Sequence, residues 1–310
     1  MHAAVVTAFG NPPRYQEHPE PVARGRDEMV VDVLAAALHP RTRSQSDGSH
    51  YTSTGELPLI PGIDAVVRDP KGRIRYTVLD DTTLGTMADR TVIEADRSVV
   101  LPDGIDPVLV AAAMNPVMSS WVALRRRIEF HRGQQVLILG ATGNAGRMAV
   151  QVAKQFGAGQ VIAAGRDMGR LEPLRALGAD VVCTFDELGR AGDVDVVIDY
   201  VWGEPTARAM MDVLTARADR AAQLTWVQIG SVAGPDSAIP SAALRSARLQ
   251  IVGSGIGSVP GRDFLEELPK MAEAVAAGGF DVRARAVPLS QVERHWAASG
   301  STGDRLVFVP

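Results

Sequence analysis

The chain has 310 residues, 46% of them hydrophobic and 22% charged, with 36 acidic against 32 basic side chains and a formal net charge of −4. That length suits about two globular domains, and the charge leaves no basic footprint for nucleic acid. No run approaches the ~20 apolar residues of a membrane span, and one cysteine, Cys183, excludes an intrachain disulfide or a multi-cysteine zinc site.

The first residues, Met1-His2-Ala3-Ala4-Val5-Val6-Thr7, lack the charged head and long apolar core of a secretory signal and read as a strand. The expected location is cytoplasmic, with no membrane partner. Strand-like pieces follow at Met29–Leu34, Ile74–Leu79, Arg90–Glu94 and Ser98–Leu101, separated by clusters such as Asp69-Pro70-Lys71-Gly72. This texture predicts a barrel-like module over 1–114. Within it, 41–57 reads as a long polar loop containing Arg41 and Arg43, long enough to be functional or mobile.

The texture changes at Gln135-Val136-Leu137-Ile138-Leu139-Gly140. An apolar run ending in glycine is a strand buried on both faces. Ala141-Thr142-Gly143-Asn144-Ala145-Gly146 is a glycine-rich turn, and Ala149, Val152, Ala153 and Phe156 then recur at helical spacing. Strand, glycine turn and helix together hold a dinucleotide pyrophosphate on backbone N–H groups. Five more apolar runs follow: Val161–Gly165, Val181–Phe185, Val194–Tyr200, Trp226–Gly230 and Leu249–Ser254. Cys183 sits in the second of these as a small core hydrophobe. Six strands alternating with helices predict a doubly wound parallel sheet of the Rossmann type over 115–256. A helix over about Arg262–Ala277, a strand-like Val282–Pro288, a helix from Ser290 and a strand at Arg305–Val309 make 257–310 the completion of the N-terminal module.

An acidic residue ~20 positions beyond the glycine turn would hold ribose hydroxyls and favour NAD. Twenty from Gly146 stands Arg166, after Gly165, and a guanidinium there can fork onto a 2′-phosphate. Asp167 beside it keeps NAD in view. NADPH is the expected cofactor.

The motifs stand in a familiar order. Pro58-Leu59-Ile60-Pro61-Gly62, Gly85-Thr86-Met87-Ala88-Asp89, Asn115-Pro116 with Ser119-Ser120-Trp121, the glycine turn, Leu177-Gly178-Ala179-Asp180, Asp195-Val196-Val197-Ile198-Asp199 and Gly303–Val309 together resemble a medium-chain dehydrogenase/reductase. The similarity is to its zinc-independent quinone and enone reductase branch and runs nearly full length. It implies an α/β fold, a Rossmann domain plus a GroES-like β-barrel catalytic domain, and hydride delivery from NADPH to a quinone or α,β-unsaturated carbonyl compound in a cleft between the two. Zinc-dependent relatives carry a catalytic Cys and a Gly-His-Glu segment; here the segment is Gly62-Ile63-Asp64, and His39-Pro40 stands at the Cys-containing turn. The resemblance therefore implies no metal.

It also implies site residues. Arg170 falls where several quinone reductases carry a phosphate-binding Lys, and Gly230 and Ser231 where backbone groups meet the nicotinamide. Ser119 matches a Thr beside the carboxamide, or is a helix N-terminal serine. Asn115 either donates a hydrogen bond at that cleft or caps a helix before Pro116. Enoyl-thioester reductases place a protonating tyrosine in a G-x-Y loop; Gly48-Ser49-His50-Tyr51 leaves His50, Tyr51 or solvent as the proton source. Histidine would bring pH dependence near neutrality. Arg41 and Arg43 could draw in a carbonyl or anionic substrate. The Leu249–Ser254 strand could pair across a two-fold axis in a homodimer. Two other readings stay open: a silent NADPH-binding sensor or structural protein, and a zinc-free carbonyl reductase.

Overall fold

The structure is a computed structural model that describes residues 1–297 and 303–310. It divides into two compact units, one of Met1–Asn115 with Leu265–Pro310 and one of Pro116–Phe264.

In the first unit, β1 (His2–Val5) and β2 (Arg14–Glu17) form an antiparallel pair. The long β3 (Glu28–Ala37) organises everything else. After it come the short helix α1 (Pro40–Ser46), the hairpin of β4 (Asp64–Arg68) and β5 (Ile74–Val78), then β6 (Arg90–Glu94) and β7 (Ser98–Val100). β3 pairs with β4, with β6 through its first half, and near its end with a strand from the far C-terminus. A register shift between Val33 and Ala35 lets one strand serve these partners. Ala3, Val5, Val33, Ile60, Met87, Ile93, Trp296 and Phe308 pack into one core.

α2 (Pro107–Val122) is continued by a π-helical turn, Ala123–Arg127. The sequence reading placed a helix start at Asn115-Pro116, but both lie inside α2. Pro116 is accommodated mid-helix, and neither Asn115 nor Ser119 caps anything. The stretch Pro107–Arg127 also corrects the expectation about apolar runs: its 21 residues are long and apolar enough to cross a bilayer. Val110, Ala111, Ala113, Met114, Val117 and Leu124 are instead buried in protein, as in a core helix.

The second unit alternates strictly. β8 (Gln135–Leu139), α3 (Asn144–Gln155), β9 (Gln160–Gly165), α4 (Met168–Leu171) with a 3-10 turn to Leu177, and β10 (Val181–Thr184) form one half. β11 (Val196–Asp199), α5 (Gly203–Ala216), β12 (Leu224–Gln228), α6 (Ser241–Ser246) and β13 (Leu249–Gly253) form the other. All six strands are parallel, in the order β10-β9-β8-β11-β12-β13. The order reverses between β8 and β11, so the ligand crevice of such a sheet opens at their carboxyl ends. The apolar runs are continuous because helices cover both faces: Val136, Leu137, Ile138 and Leu139 have no exposure at all.

The chain then returns to the first unit through α7 (Gly261–Ala276), β14 (Ala284–Pro288), α8 (Val292–Trp296) and β15 (Arg305–Val309). β15 lies antiparallel to the end of β3 and parallel to β14. The C-terminal tail thus supplies strands to the N-terminal module.

Candidate functional site

At the carboxyl end of β8 the chain turns with Gly140 at φ +79°, a conformation that side chains resist. The N–H groups of Gly140 and Ala141 both donate to the Ala164 carbonyl of β9, fixing the turn to the neighbouring strand. Gly143 precedes α3, and no side chain caps that helix. The first-turn amides of α3 thus face the turn without a side-chain acceptor, an arrangement suited to anions. Gly146 is required by space: a Cβ there would lie 2.3 Å from the Gly140 carbonyl and 2.6 Å from Ala141 Cα. Gly165 ends β9 against Thr142, where a Cβ would meet its methyl at 3.2 Å. The turn Ala141–Gly146 is therefore a cradle that added side chains would fill, and it fits a pyrophosphate.

Arg166 and Arg170 are both exposed beyond β9. Arg170 reaches back to the glycine turn, its Nη2 donating to the Thr142 carbonyl at 3.3 Å. Asp167 is spent locally: it caps α4, with Oδ1 accepting from the Gly169 N–H at 2.8 Å. The carboxylate that kept NAD in view is committed to the fold, while Arg170 borders the cradle and Arg166 stands exposed just past the end of β9.

On the other side of the switch point, β11 ends in Asp199, which is fully buried. Oδ1 accepts from the N–H groups of Val201 (2.8 Å) and Trp202 (3.1 Å), and Oδ2 from Thr206 Oγ1 (2.7 Å) and Trp226 Nε1 (3.0 Å). Four donors satisfy this carboxylate, so it shapes the loop and is not a reacting group. Tyr200, which the sequence reading passed over, brings its hydroxyl 2.9 Å from Ser119 Oγ. Burial pushes the Tyr200 phenol up to about 12. Ser119 donates its one hydrogen to the Pro116 carbonyl at 2.8 Å, so Tyr200 donates to Ser119. Ser119 is left able to accept, not to donate. Gly230 presses on this loop; a Cβ would sit 2.7 Å from the Tyr200 carbonyl. Ser231 follows on the surface, in a turn closed by the Gly234 N–H.

In the first unit, His39 and Asp64 meet in the core. His39 Nδ1 accepts from the Thr42 N–H (3.3 Å), capping α1, and Nε2 donates to Asp64 Oδ1 at 2.7 Å. Tyr76 donates to Asp64 Oδ2 at 2.7 Å, and Arg305 donates to the Leu38 carbonyl at 3.1 Å. Burial holds the His39 imidazole below its usual range and raises the Tyr76 phenol well above its own. Both nitrogens of His39 and both oxygens of Asp64 are engaged, Ile63 is a buried aliphatic, and Cys183 lies buried in β10 of the other unit. These residues do not fit a catalytic zinc, which needs three convergent ligands and an open position.

The stretch expected as a polar loop starts as helix α1, which points Arg41 and Arg43 in different directions. Arg43 donates to the Trp296 carbonyl and stacks 5.4 Å from its ring centroid, so it is engaged within the first unit. Arg41 pairs with Asp81, and the Thr52 hydroxyl donates to the same Asp81 oxygen. His50 Nδ1 lies 2.8 Å from Thr52 Oγ1, and the His50 and Tyr51 rings are in contact at 4.1 Å between centroids. Tyr51 is 71% exposed. Desolvation, aided by Arg41 and opposed by Asp81, brings His50 down to about 4. This corrects the expected pH dependence near neutrality: the ring is already neutral there. Among the described residues, Arg41 Nε and Nη1 and Asp81 Oδ1 are buried without a hydrogen-bond partner.

The sequence model of the zinc-binding dehydrogenase family matches residues 145–277. Over the full length of both chains, the protein is 29% identical to the probable NADPH-dependent quinone reductase tdiC of Emericella nidulans. Over 51% of this chain and 45% of the relative, it is 27% identical to the chloroplastic NADPH-dependent alkenal/one oxidoreductase of Arabidopsis thaliana. The quinone oxidoreductase of Thermus thermophilus, solved alone and with NADPH, matches over all of both chains with a TM-score of 0.85 at 25% identity. A reversed six-stranded parallel sheet with a glycine cradle at its switch point marks a dinucleotide-binding domain. These likenesses support a medium-chain dehydrogenase/reductase of the zinc-independent quinone and enone oxidoreductase branch.

Proposed function

We propose that this chain is an NADPH-dependent, metal-free reductase of quinones and α,β-unsaturated carbonyl compounds. The observation that carries the reading is the glycine cradle with Arg170 across it and Arg166 just past the adjoining strand end, Asp167 being taken up in a helix cap. The full-length likeness to tdiC supports it.

NADPH bound at this site supplies a hydride. The amides of Thr142, Asn144, Ala145 and Gly146 would hold its pyrophosphate, with Ala141 and Gly143 shaping the turn through their own backbone bonds, and Arg166 and Arg170 would take its 2′-phosphate. Gly165 keeps the strand end clear. Gly230, Ser231 and Ser119 serve the nicotinamide end, Ser119 as an acceptor for a carboxamide N–H, and Asn115 of the same helix as Ser119 contributes an amide. His50 and Tyr51 attend the acceptor's oxygen. The Tyr51 hydroxyl is the donor suited to the growing negative charge, and solvent delivers the proton that balances the hydride. The protein acts on a small-molecule substrate in the cytoplasm as a homodimer, with the open edge of β13 as the pairing strand.

An NADPH-oxidation screen over quinones, enones and enoyl thioesters, with NADH alongside, tests this. Turnover with quinones or enones and preference for NADPH are expected. NADPH binding without oxidation in any arm would instead favour a silent sensor.

A further inference from the structure

Among the described residues, Trp202 is the one non-glycine residue with a positive φ, at φ 53° and ψ −161°. Glycine takes such a conformation freely, as Gly203 beside it does at φ +68°. A bulky side chain there is an outlier that persists only where its surroundings impose it. Those surroundings are well defined. Asp199 Oδ1 accepts from the N–H groups of both Val201 and Trp202, and Ser237 Oγ donates to the Gly203 carbonyl at 2.7 Å. The strained residue stands just after β11, at the carboxyl edge of the sheet where the crevice opens.

The indole of Trp202 reaches the segment 229–240, which joins β12 to α6. Its Nε1–H donates to the Pro235 carbonyl at 3.1 Å. The near end of that segment is rooted by the Gly230 N–H, which donates to the Asp199 carbonyl at 3.1 Å, and its middle by the Ala233 N–H, on the Val201 carbonyl at 2.9 Å. Ser231, Val232 and Ala233 are exposed, and the Gly234 N–H closes a turn on the Ser231 carbonyl at 3.1 Å. Pro235 follows that turn directly. The indole therefore catches the far side of a turn whose near side is Gly230 and Ser231.

We propose that Trp202 is a positioning residue whose indole N–H holds the 229–240 segment to the end of β11, and so sets Gly230 and Ser231 for the nicotinamide of NADPH. Glycine at 202 would suit the backbone better but could not reach Pro235. The indole is partly exposed, so core packing alone does not account for its size. Backbone strain of this kind clusters at ligand clamps and switch segments, where it persists because the fixed geometry is used.

The inference rests on nicotinamide binding at Gly230 and Ser231, and the test separates the two. Trp202→Phe keeps a ring and removes the N–H; Trp202→Gly removes both and eases the backbone. Wild type and variants are titrated by calorimetry with NADPH and with adenosine 2′,5′-bisphosphate, which carries the 2′-phosphate but no nicotinamide. Both variants should bind NADPH about tenfold more weakly, the loss of one hydrogen bond, and the bisphosphate as wild type does. In the protein without cofactor, the Gly234 amide should exchange about tenfold faster in Trp202→Phe. Unchanged Gly234 exchange, or unchanged NADPH affinity in Trp202→Phe, overturns the positioning role and leaves NADPH binding standing. Equal losses for both ligands would make Trp202 a structural residue only, which also overturns it. Failure of the wild type to bind either ligand overturns the NADPH reading and the inference with it. If Trp202→Gly does not fold, Trp202→Phe decides.

Discussion

Arg170 lies across the mouth of the glycine turn, its guanidinium 3.3 Å from the Thr142 carbonyl, although 28 residues separate them in the chain. The contact ties the end of β9 to the turn after β8 and sets a cation beside the amides that receive phosphate. A carbonyl is a weak partner for a full charge, so the remaining donors of the guanidinium are available to a stronger anion.

Reversing these charges should separate the two nicotinamide cofactors. Arg170→Glu and Arg166→Glu should each weaken NADPH binding by roughly tenfold to a hundredfold, the ~1.5–3 kcal/mol of a charge-assisted hydrogen bond. NADH binding should be unchanged. Equilibrium titration of both cofactors checks this, and equal losses for the two would remove the arginines from 2′-phosphate recognition.

Gly146→Ala should destabilise the second unit by about 1–3 kcal/mol, because the added methyl meets backbone atoms that have no rotamer to yield. The cradle should no longer take NADPH. Denaturant unfolding with and without NADPH measures both effects, and a variant of wild-type stability that still gains protection from NADPH would show that the turn relaxes freely.

Asp199→Asn should cost about 3 kcal/mol, since an amide NH2 would replace an oxygen that accepts from buried donors. Urea unfolding should show a lower midpoint. Unaltered stability would mean that the loop after β11 is held by its backbone contacts alone.

The pH dependence follows from histidines that are depressed in the folded state. His50 is brought down to about 4 from 6.5, chiefly by desolvation and then by Arg41, and His39 is lowered in the same direction by burial. Protonation therefore favours the unfolded chain. The contribution of His50 to stability is complete above pH 6.5 and is lost as pH falls from 6.5 through about 4, and that of His39 is lost in the same direction below 6.5. Acid unfolding of His50→Gln should be correspondingly less steep, and kcat/KM of the wild type should show no histidine inflection between about pH 5 and 8. An acid limb centred near 6.5 that disappears in His50→Gln would contradict this.

Much of the second unit was legible in the sequence because its signals are local. A strand buried on both faces writes a continuous apolar run, and the positive φ of Gly140 and the missing Cβ of Gly146 each demand glycine in place. Arg166 was singled out by counting from that turn, and Arg170 by the resemblance to a family position that carries a phosphate-binding Lys. The first unit was read less fully because its order is set by distant partners. β3 pairs with β15 across about 270 residues, and the bond from Arg41 to Asp81 spans 40. Periodicity in a short window carries neither. α1 was missed because Pro40-Arg41-Thr42-Arg43-Ser44-Gln45-Ser46 is polar on all sides, its stability coming from the His39 cap and from contacts such as Arg43 on Trp296. Tyr200 escaped notice because nothing in sequence brings it to Ser119, 81 residues earlier. The start of α2 was misplaced because proline usually opens a helix, whereas here Pro107 does so and Pro116 rides inside.

The most direct measurement is steady-state loss of reduced-nicotinamide absorbance by the purified protein, with a simple quinone and with an enone, each run with NADPH and NADH at equal concentration. The account predicts stoichiometric reduction of the acceptor, with kcat/KM for NADPH at least tenfold above that for NADH, undiminished by chelators. Saturable NADPH binding with no acceptor reduced, or turnover that favours NADH, would contradict it.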